Sequence, residues 1–142
     1  MKIVLTTKID SNYLQIKNGF NQKLFSFLAP PFMPFSILRF DGVRKDDVFH
    51  LSMMKGEWKG HITEEKQNDE EWYFIDEGII LPWPLTKWRH KHRVIRVSEN
   101  ESIIRDEISF QTSSSLFDLL FYPLIWVGFA LRPVKYGEYF EV

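Results

Sequence analysis

The chain of 142 residues contains no cysteine, which excludes disulfides, thiolate metal ligands and a cysteine nucleophile. That absence fits a reducing compartment, and a cytoplasmic location is the expectation. No apolar run reaches the ~20 residues that a bilayer crossing needs. The nearest, LLFYPLIWVGFAL from Leu119 to Leu131, is shorter and carries Pro123 and Gly128, so it reads as a buried helix and no membrane insertion is expected. The opening MKIVLTTKID carries Lys2 and Lys8 and lacks the continuous apolar centre of a signal peptide. A formal net charge of -1 provides no overall field for nucleic acid, and no nucleic-acid partner is expected. A glycine-rich phosphate loop, a Gly-x-Ser-x-Gly elbow and a His-x-x-x-His pair are all missing, so neither a cofactor nor a metal is expected.

What is present is apolar bulk. Apolar residues make up 44% of the chain and aromatic residues 16%, with 13 Phe and 5 Trp, enough for a voluminous interior or an apolar pocket. The length suits one domain over residues 1–142. Residues 2–9 place Ile3, Leu5, Thr7 and Ile9 on one face of a strand. Tyr13, Ile16, Phe20, Leu24 and Phe27 then recur at helical spacing. Asp10 or Ser11 stands ready to cap that segment, Gly19 to divide it and Pro30-Pro31 to stop it.

From Phe35 to Phe110 come six short alternating runs, SILRFDG, DVFHLSMMKG, EWKGHITEEKQ, EWYFIDEGIIL, KWRHKHRVIRV and SIIRDEISFQ. Their breaks are too short for parallel crossovers and predict an antiparallel meander. After Gln111 the period is helical again, with Ser114 or Ser115 as the cap and Pro133 forcing a kink or restart. The expected fold class is α+β, with helices covering a strongly curved antiparallel sheet and a candidate pocket between the sheet and the last helix.

The stretch KWRHKHRV decides where chemistry should be sought. Alternate residues of a strand face opposite ways, so Lys87, Arg89, Lys91 and Arg93 form one face and Trp88, His90, His92 and Val94 the other. The basic row has acidic neighbours on both sides, including Glu71, Glu77 and Glu107, and reads as a solvated, ion-paired face. On the next strand Ile104, Asp106, Ile108 and Phe110 share a face. On the preceding strand Trp72, Phe74 and Asp76 share one, although Tyr73, Ile75, Glu77 and Ile79 opposite are nearly as apolar and periodicity does not choose between them.

If Asp76 and Asp106 point inward, both carboxylates meet His90 and His92 in an aromatic wall. Such a network serves structure, with Asp and His satisfying one another. It serves ligand recognition by orienting a mostly apolar guest. It also serves catalysis, with His90 or His92 moving protons and Asp76 or Asp106 setting the tautomer. His50 and His61 stand alone and read as surface or satisfied core residues. Trp58, and Phe117, Leu120, Phe121, Leu124, Trp126 and Phe129 in the closing segment, are core or pocket-lining candidates.

The order Phe74, Asp76, Pro82-Trp83, Trp88-x-His90-x-His92, then Asp106 with Ile108 and Phe110 resembles the bacterial branch of the START-like, Bet v 1-like (SRPBCC) superfamily related to polyketide cyclase and dehydrase proteins. LFSFLAPPFMPFSILRF resembles that family's helix pair entering the second strand, and GEWKGHIT its strand with a central tryptophan. The resemblance spans nearly the whole chain. It implies a helix-grip fold, with about seven antiparallel strands around a C-terminal helix, here kinked near Pro133, and a short helix pair after the first strand.

The resemblance also implies a cavity for a small hydrophobic molecule, lipid or polyketide-like aromatic. Trp58, Phe74, Asp76, Trp88, His90, His92, Asp106, Ile108, Phe110, Phe121 and Trp126 are the expected contacts. A cyclase or dehydratase using His90, His92, Asp76 and Asp106 is the alternative. A monomer or homodimer is expected. Two departures stand out: Leu81-Pro82-Trp83 replaces the family's usual Gly-Pro-Phe, and Pro133 interrupts the closing helix.

Overall fold

A computed structural model describes residues 1–54 and 56–141. Lys55, which falls in the run DVFHLSMMKG, and Val142 lie outside the described residues. Seven strands form one antiparallel sheet in the order β1-β7-β6-β5-β4-β3-β2. They are β1 (Lys2–Ile9), β2 (Phe35–Phe40), β3 (Val48–Met53), β4 (Gly56–Gln67), β5 (Glu71–Ile80), β6 (Leu85–Ser98) and β7 (Glu101–Thr112). The short breaks do produce hairpins, so β2 to β7 run as the expected meander, while β1 returns to pair with β7 from Lys2 opposite Ser109 to Ile9 opposite Ser102.

Two short helices, α1 (Tyr13–Asn18) and α2 (Gln22–Phe27), follow β1 and are divided at Gly19, which ends α1. Their caps differ from the sequence expectation. Asn12, rather than Asp10 or Ser11, caps α1 through its carbonyl, which accepts from the Leu14 amide at 2.9 Å, and Asn21 does the same for α2. Asparagine is as good a cap as serine, and the tight exit from β1 puts Asn12 at the first free amides. Tyr13, Ile16, Phe20 and Leu24 are buried with Trp72, Phe74, Val94, Ile104 and Tyr136, so one end of the sheet's concave side is packed solid. A smaller cluster of Ile3, Trp88, Ile108 and Phe110 sits toward the other end.

The closing segment is α3 (Ser115–Ala130) and α4 (Arg132–Phe140), with Pro133 in the first turn of α4, so the expected restart occurs there. Ser114 caps α3 by accepting from the Phe117 amide at 3.2 Å. Asp118 ties that cap to the sheet, its carboxylate accepting from the amide and hydroxyl of Thr112, each at 2.6 Å. Expectation and structure part over burial: α3 contains no buried residue. The sheet covers only its inner side, and among the described residues nothing packs against the outer one.

Gly60 in β4 lies directly across from Phe49. A Cβ at this position would stand 2.7 Å from Phe49 Cε1 and 3.1 Å from the Glu77 carbonyl oxygen, so the absence of a side chain lets the Phe49 ring fold over the strand toward the interior.

Candidate functional site

Strand parity places the site. Trp88, His90, His92 and Val94 are all buried on the concave face of β6, while Lys87 and Arg89 are exposed. On the outer face Arg93 binds Glu71 at 2.5 Å and Glu107 at 2.9 Å, and Arg105 also binds Glu107 at 2.8 Å. Lys91 lies over the Tyr73 ring at 4.2 Å. Half of the basic row, Lys91 and Arg93, is thus ion-paired or packed, while Lys87 and Arg89 face solvent. The register with β6 resolves the ambiguity of β5, bringing Trp72, Phe74 and Asp76 inward opposite Val94, His92 and His90. On the other side His92 stands opposite Asp106 and His90 opposite Ile108.

The hydrogen bonds run along diagonals rather than straight across. His92 Nε2 lies 2.6 Å from Asp76 Oδ2, and His90 Nε2 lies 2.7 Å from Asp106 Oδ1. The directly facing atoms are farther apart, with His90 Nδ1 4.0 Å from Asp76 Oδ2 and His92 Nδ1 3.7 Å from Asp106 Oδ1. The two imidazoles stack with centroids 3.5 Å apart, and Phe74 stacks on the far side of His92 at 4.2 Å. Each carboxylate fixes its histidine as the Nε2–H donor, the tautomer in which Nδ1 keeps its lone pair. His92 Nδ1 and Asp106 Oδ2 are buried without a hydrogen-bond partner among the described residues.

Two further residues complete the cluster. Arg132, at the start of α4, points its guanidinium at the sheet, with Nη1 3.4 Å from Asp106 Oδ1 and 3.2 Å from the Tyr136 hydroxyl. The Tyr136 hydroxyl is itself 3.5 Å from Asp106 Oδ1. Phe129 packs under the guanidinium at 4.4 Å. Sequence reasoning missed both Arg132 and Tyr136. The available signal was a cation, Arg132, closing an apolar run, with Tyr136 one helical turn later on the same face.

The electrostatics follow from this burial. Loss of solvation, and next the neighbouring His90, lower His92 to about 4, outweighing Asp76 and Asp106. Burial alone would raise the Asp106 carboxyl, but the His90 hydrogen bond and the Arg132 charge hold it well below the usual carboxylate range. Burial would likewise lower Arg132, yet Tyr136 and Asp106 keep it above its ordinary value. The Tyr136 phenol is pushed up by burial and by the Asp106 charge.

A cavity of about 540 Å³ opens beside this cluster, between the sheet, α3 and the α2–β2 connection. Its wall is mostly apolar, with a polar corner formed by Asp76, His90, His92 and Arg132. Of the residues expected from sequence to face a guest, Trp58, Phe74, Asp76, Trp88, His90, His92 and Phe121 line it. Asp106, Ile108 and Phe110 lie buried behind the wall, and Trp126 is half exposed on the outer side of α3. Leu124, Phe129 and Gly128 line the cavity from α3, Phe117 packs edge-on against Trp83, and Leu120 faces outward. His50 and His61 stand away from the wall, His50 Nε2 lying 3.5 Å from Glu57 Oε2.

Asp76, His90 and His92 offer ligand atoms that all lie within 4.8 Å of one another, a set able to hold a divalent cation. A tetrahedral zinc site spaces its ligand atoms by roughly 3.3 Å, however, and the 2.6 Å contact of Asp76 with His92 is that of a hydrogen bond.

Seven antiparallel strands wrapped against a C-terminal helix, with a helix pair after the first strand and a hollow between, define a helix-grip fold. Among solved structures the chain is similar to a START superfamily protein from Mycobacterium smegmatis (TM-score 0.74, 9% identity, 99% of this chain and 97% of that one). It is similar as well to norcoclaurine synthase from Thalictrum flavum in complex with dopamine and hydroxybenzaldehyde (0.67, 13%, 97% and 84%). An uncharacterized protein from Bacillus thuringiensis matches over the whole length of both chains (0.67, 18%). No family model matches the chain, and no curated protein matches it in sequence.

Proposed function

We propose that the protein binds a small hydrophobic molecule, lipid or polyketide-like aromatic, in the cavity beneath α3, with the guest's polar end at Asp76, His90, His92 and Arg132. The observation that carries this reading is the cavity itself: about 540 Å³, apolar over most of its wall, with its polar groups gathered in one corner. That is the form of a site which gains affinity from apolar burial and orientation from a few fixed hydrogen bonds. Asp76 and the two imidazoles are already locked to one another, so a guest meets them without their having to be ordered. Norcoclaurine synthase, which shares the fold, holds the small aromatic molecules dopamine and hydroxybenzaldehyde, in keeping with a guest of this kind.

Titration with the apolar fluorophore aminoanthracene tests the reading. Saturable binding is expected, and Leu51→Trp, which places an indole into the cavity from β3, is expected to weaken it by about tenfold or more, the worth of displacing a few buried methylenes. A wild-type protein that shows no saturable binding, and carries nothing in native mass spectrometry, refutes it.

The Asp–His pairs support a second reading, proton transfer on the bound molecule in a cyclase or dehydratase type of reaction. His90 faces the cavity with its tautomer set by Asp106, which leaves Nδ1 with a lone pair. On this reading the protein accelerates hydrogen–deuterium exchange at the acidic carbon of an aromatic β-diketone in deuterated water, and His90→Gln abolishes the acceleration while leaving aminoanthracene affinity within about threefold. Equal exchange rates with and without wild-type protein remove it.

A further inference from the structure

The outer side of α3 is apolar along its whole length. Leu116, Leu119 and Leu120 are each at least 60% exposed, and Leu124, Val127, Leu131 and Val134 continue the same side through the start of α4. At 3.6 residues per turn these positions fall on one arc, in which no charged residue occurs. Asp118 is the sole charged residue of α3, and it is turned back toward Thr112. A monomer in water seldom leaves so large a contiguous apolar surface uncovered.

The arc does not end at the helix. Trp83 (75% exposed) packs edge-on against Phe117 at the N-terminal end of α3, and Met54 (87%) and Phe32 are exposed as well. All three line the cavity, from three separate connections. The β3–β4 turn at Gly56 lies beside Pro82, and α3 at Gly128 lies beside Pro30, so these connections border the same cavity next to the helix. Leu124 joins the two features, since it lines the cavity and is also half exposed on the arc.

We propose that this surface docks on a lipid bilayer, with the arc of α3 and the rim of Phe32, Met54 and Trp83 lying in the interfacial layer so that the cavity opens into the membrane. Three features favour a bilayer over a second copy of the chain. The apolar surface includes a cavity mouth as well as a helix stripe, and a bilayer covers both while leaving the mouth a path for an apolar molecule. Trp83 and Trp126 stand at its margins, where indoles favour the boundary between lipid and water. The inner side of the helical segment is committed to the sheet through Tyr136 and the ion pair of Arg132 with Asp106. The joined α3–α4 segment of 26 residues is long and apolar enough to span a membrane, but it could not do so without pulling that buried charge out of the fold, so it lies on the surface instead. Because α3 carries no Lys or Arg, attraction to anionic headgroups is not the driving term.

Sedimentation with phosphatidylcholine vesicles tests the proposal. The wild-type protein is expected to pellet with vesicles, and equally at high salt, because apolar burial is not screened. Leu119→Glu/Leu120→Glu, which alters exposed residues that do not line the cavity, is expected to lower the vesicle partition by at least about tenfold. Its melting temperature and its aminoanthracene affinity without vesicles should stay unchanged; if that variant unfolds, Leu116→Ser with Val127→Ser takes its place. A wild-type protein that stays in the supernatant, pelleting lost at high salt, or a variant that pellets like wild type overturns the proposal. A concentration-dependent dimer that the substitutions dissolve and vesicles do not displace overturns it too, in favour of a second copy. The dye measurement is made without lipid, so a failure of docking and a failure of the ligand reading are separate results.

Discussion

Replacing Asp106 with alanine is expected to cost about 3–5 kcal/mol in urea denaturation, the usual penalty for removing one partner of a buried ion pair. Asp106 is 1% exposed, and its Oδ1 faces His90 at 2.7 Å, Arg132 at 3.4 Å and Tyr136 at 3.5 Å. The variant therefore strands a guanidinium against Phe129 with only the more distant Asp76 charge left near it, and frees the His90 ring at the cavity wall. A typical domain has ~5–15 kcal/mol in hand, so the loss is a large share of the total. Combining Asp106→Leu with Arg132→Met removes both charges at once and is expected to recover a substantial part of it. Coupling in the double-mutant cycle should be of order 2 kcal/mol. A cost below about 1 kcal/mol for Asp106→Ala, or strictly additive losses, means that the cluster does not hold α4 to the sheet.

Acid should destabilise the protein well before ordinary carboxylates titrate. His92 titrates at about 4 when folded and near 6.5 when unfolded, the folded value being lowered first by burial and then by His90. Between those two values the unfolded chain binds the additional proton, so stability rises with pH. The contribution of a neutral His92 is complete above about 6.5, drains as pH falls and is gone near 4, with an integrated loss of order 3 kcal/mol. Asp106, depressed by His90 and Arg132 against the effect of burial, acts in a separate window below its ordinary 3.8. Melting curves from pH 7 to pH 4 should show the slope, and His92→Gln should flatten it. Coincident slopes for the two proteins would show that His92 is not the group responsible.

Much of this arrangement was legible in the sequence, for a physical reason particular to each element. β6 is covered on one face only, so its alternation separated Trp88, His90 and His92 from the basic row without ambiguity. β5 was ambiguous because Ile75 is buried on the face opposite Phe74, and only the register with β6 settled which side held Asp76. The exit from β1 offered three neighbouring polar residues as caps, and composition does not say which one meets the first free amide.

Arg132 was hidden by a different circumstance. Arg132 and Tyr136 lie on α4, beyond the break at Leu131, and α3 before it is apolar on every side, so it has no stripe from which the phase of the inner face could be carried across that break. The same uniformity made α3 look like a core helix when its outer half is bare. The hollow itself is invisible at that level, because the residues that line it are the same phenylalanines and tryptophans that fill the opposite end of the domain.

The pairing of β1 with β7 bears on how such a chain assembles. β2 through β7 each find a partner in the strand just before or after, so their ladders can form by successive short-range closures. β1 has no such neighbour: its amides and carbonyls stay unmatched until the last strand exists and the intervening meander has folded back. During synthesis the first strand of the sheet to appear is thus among the last to be secured. Ile3 and Ile9, which seal the ends of the apolar interior, arrive as the closing pieces.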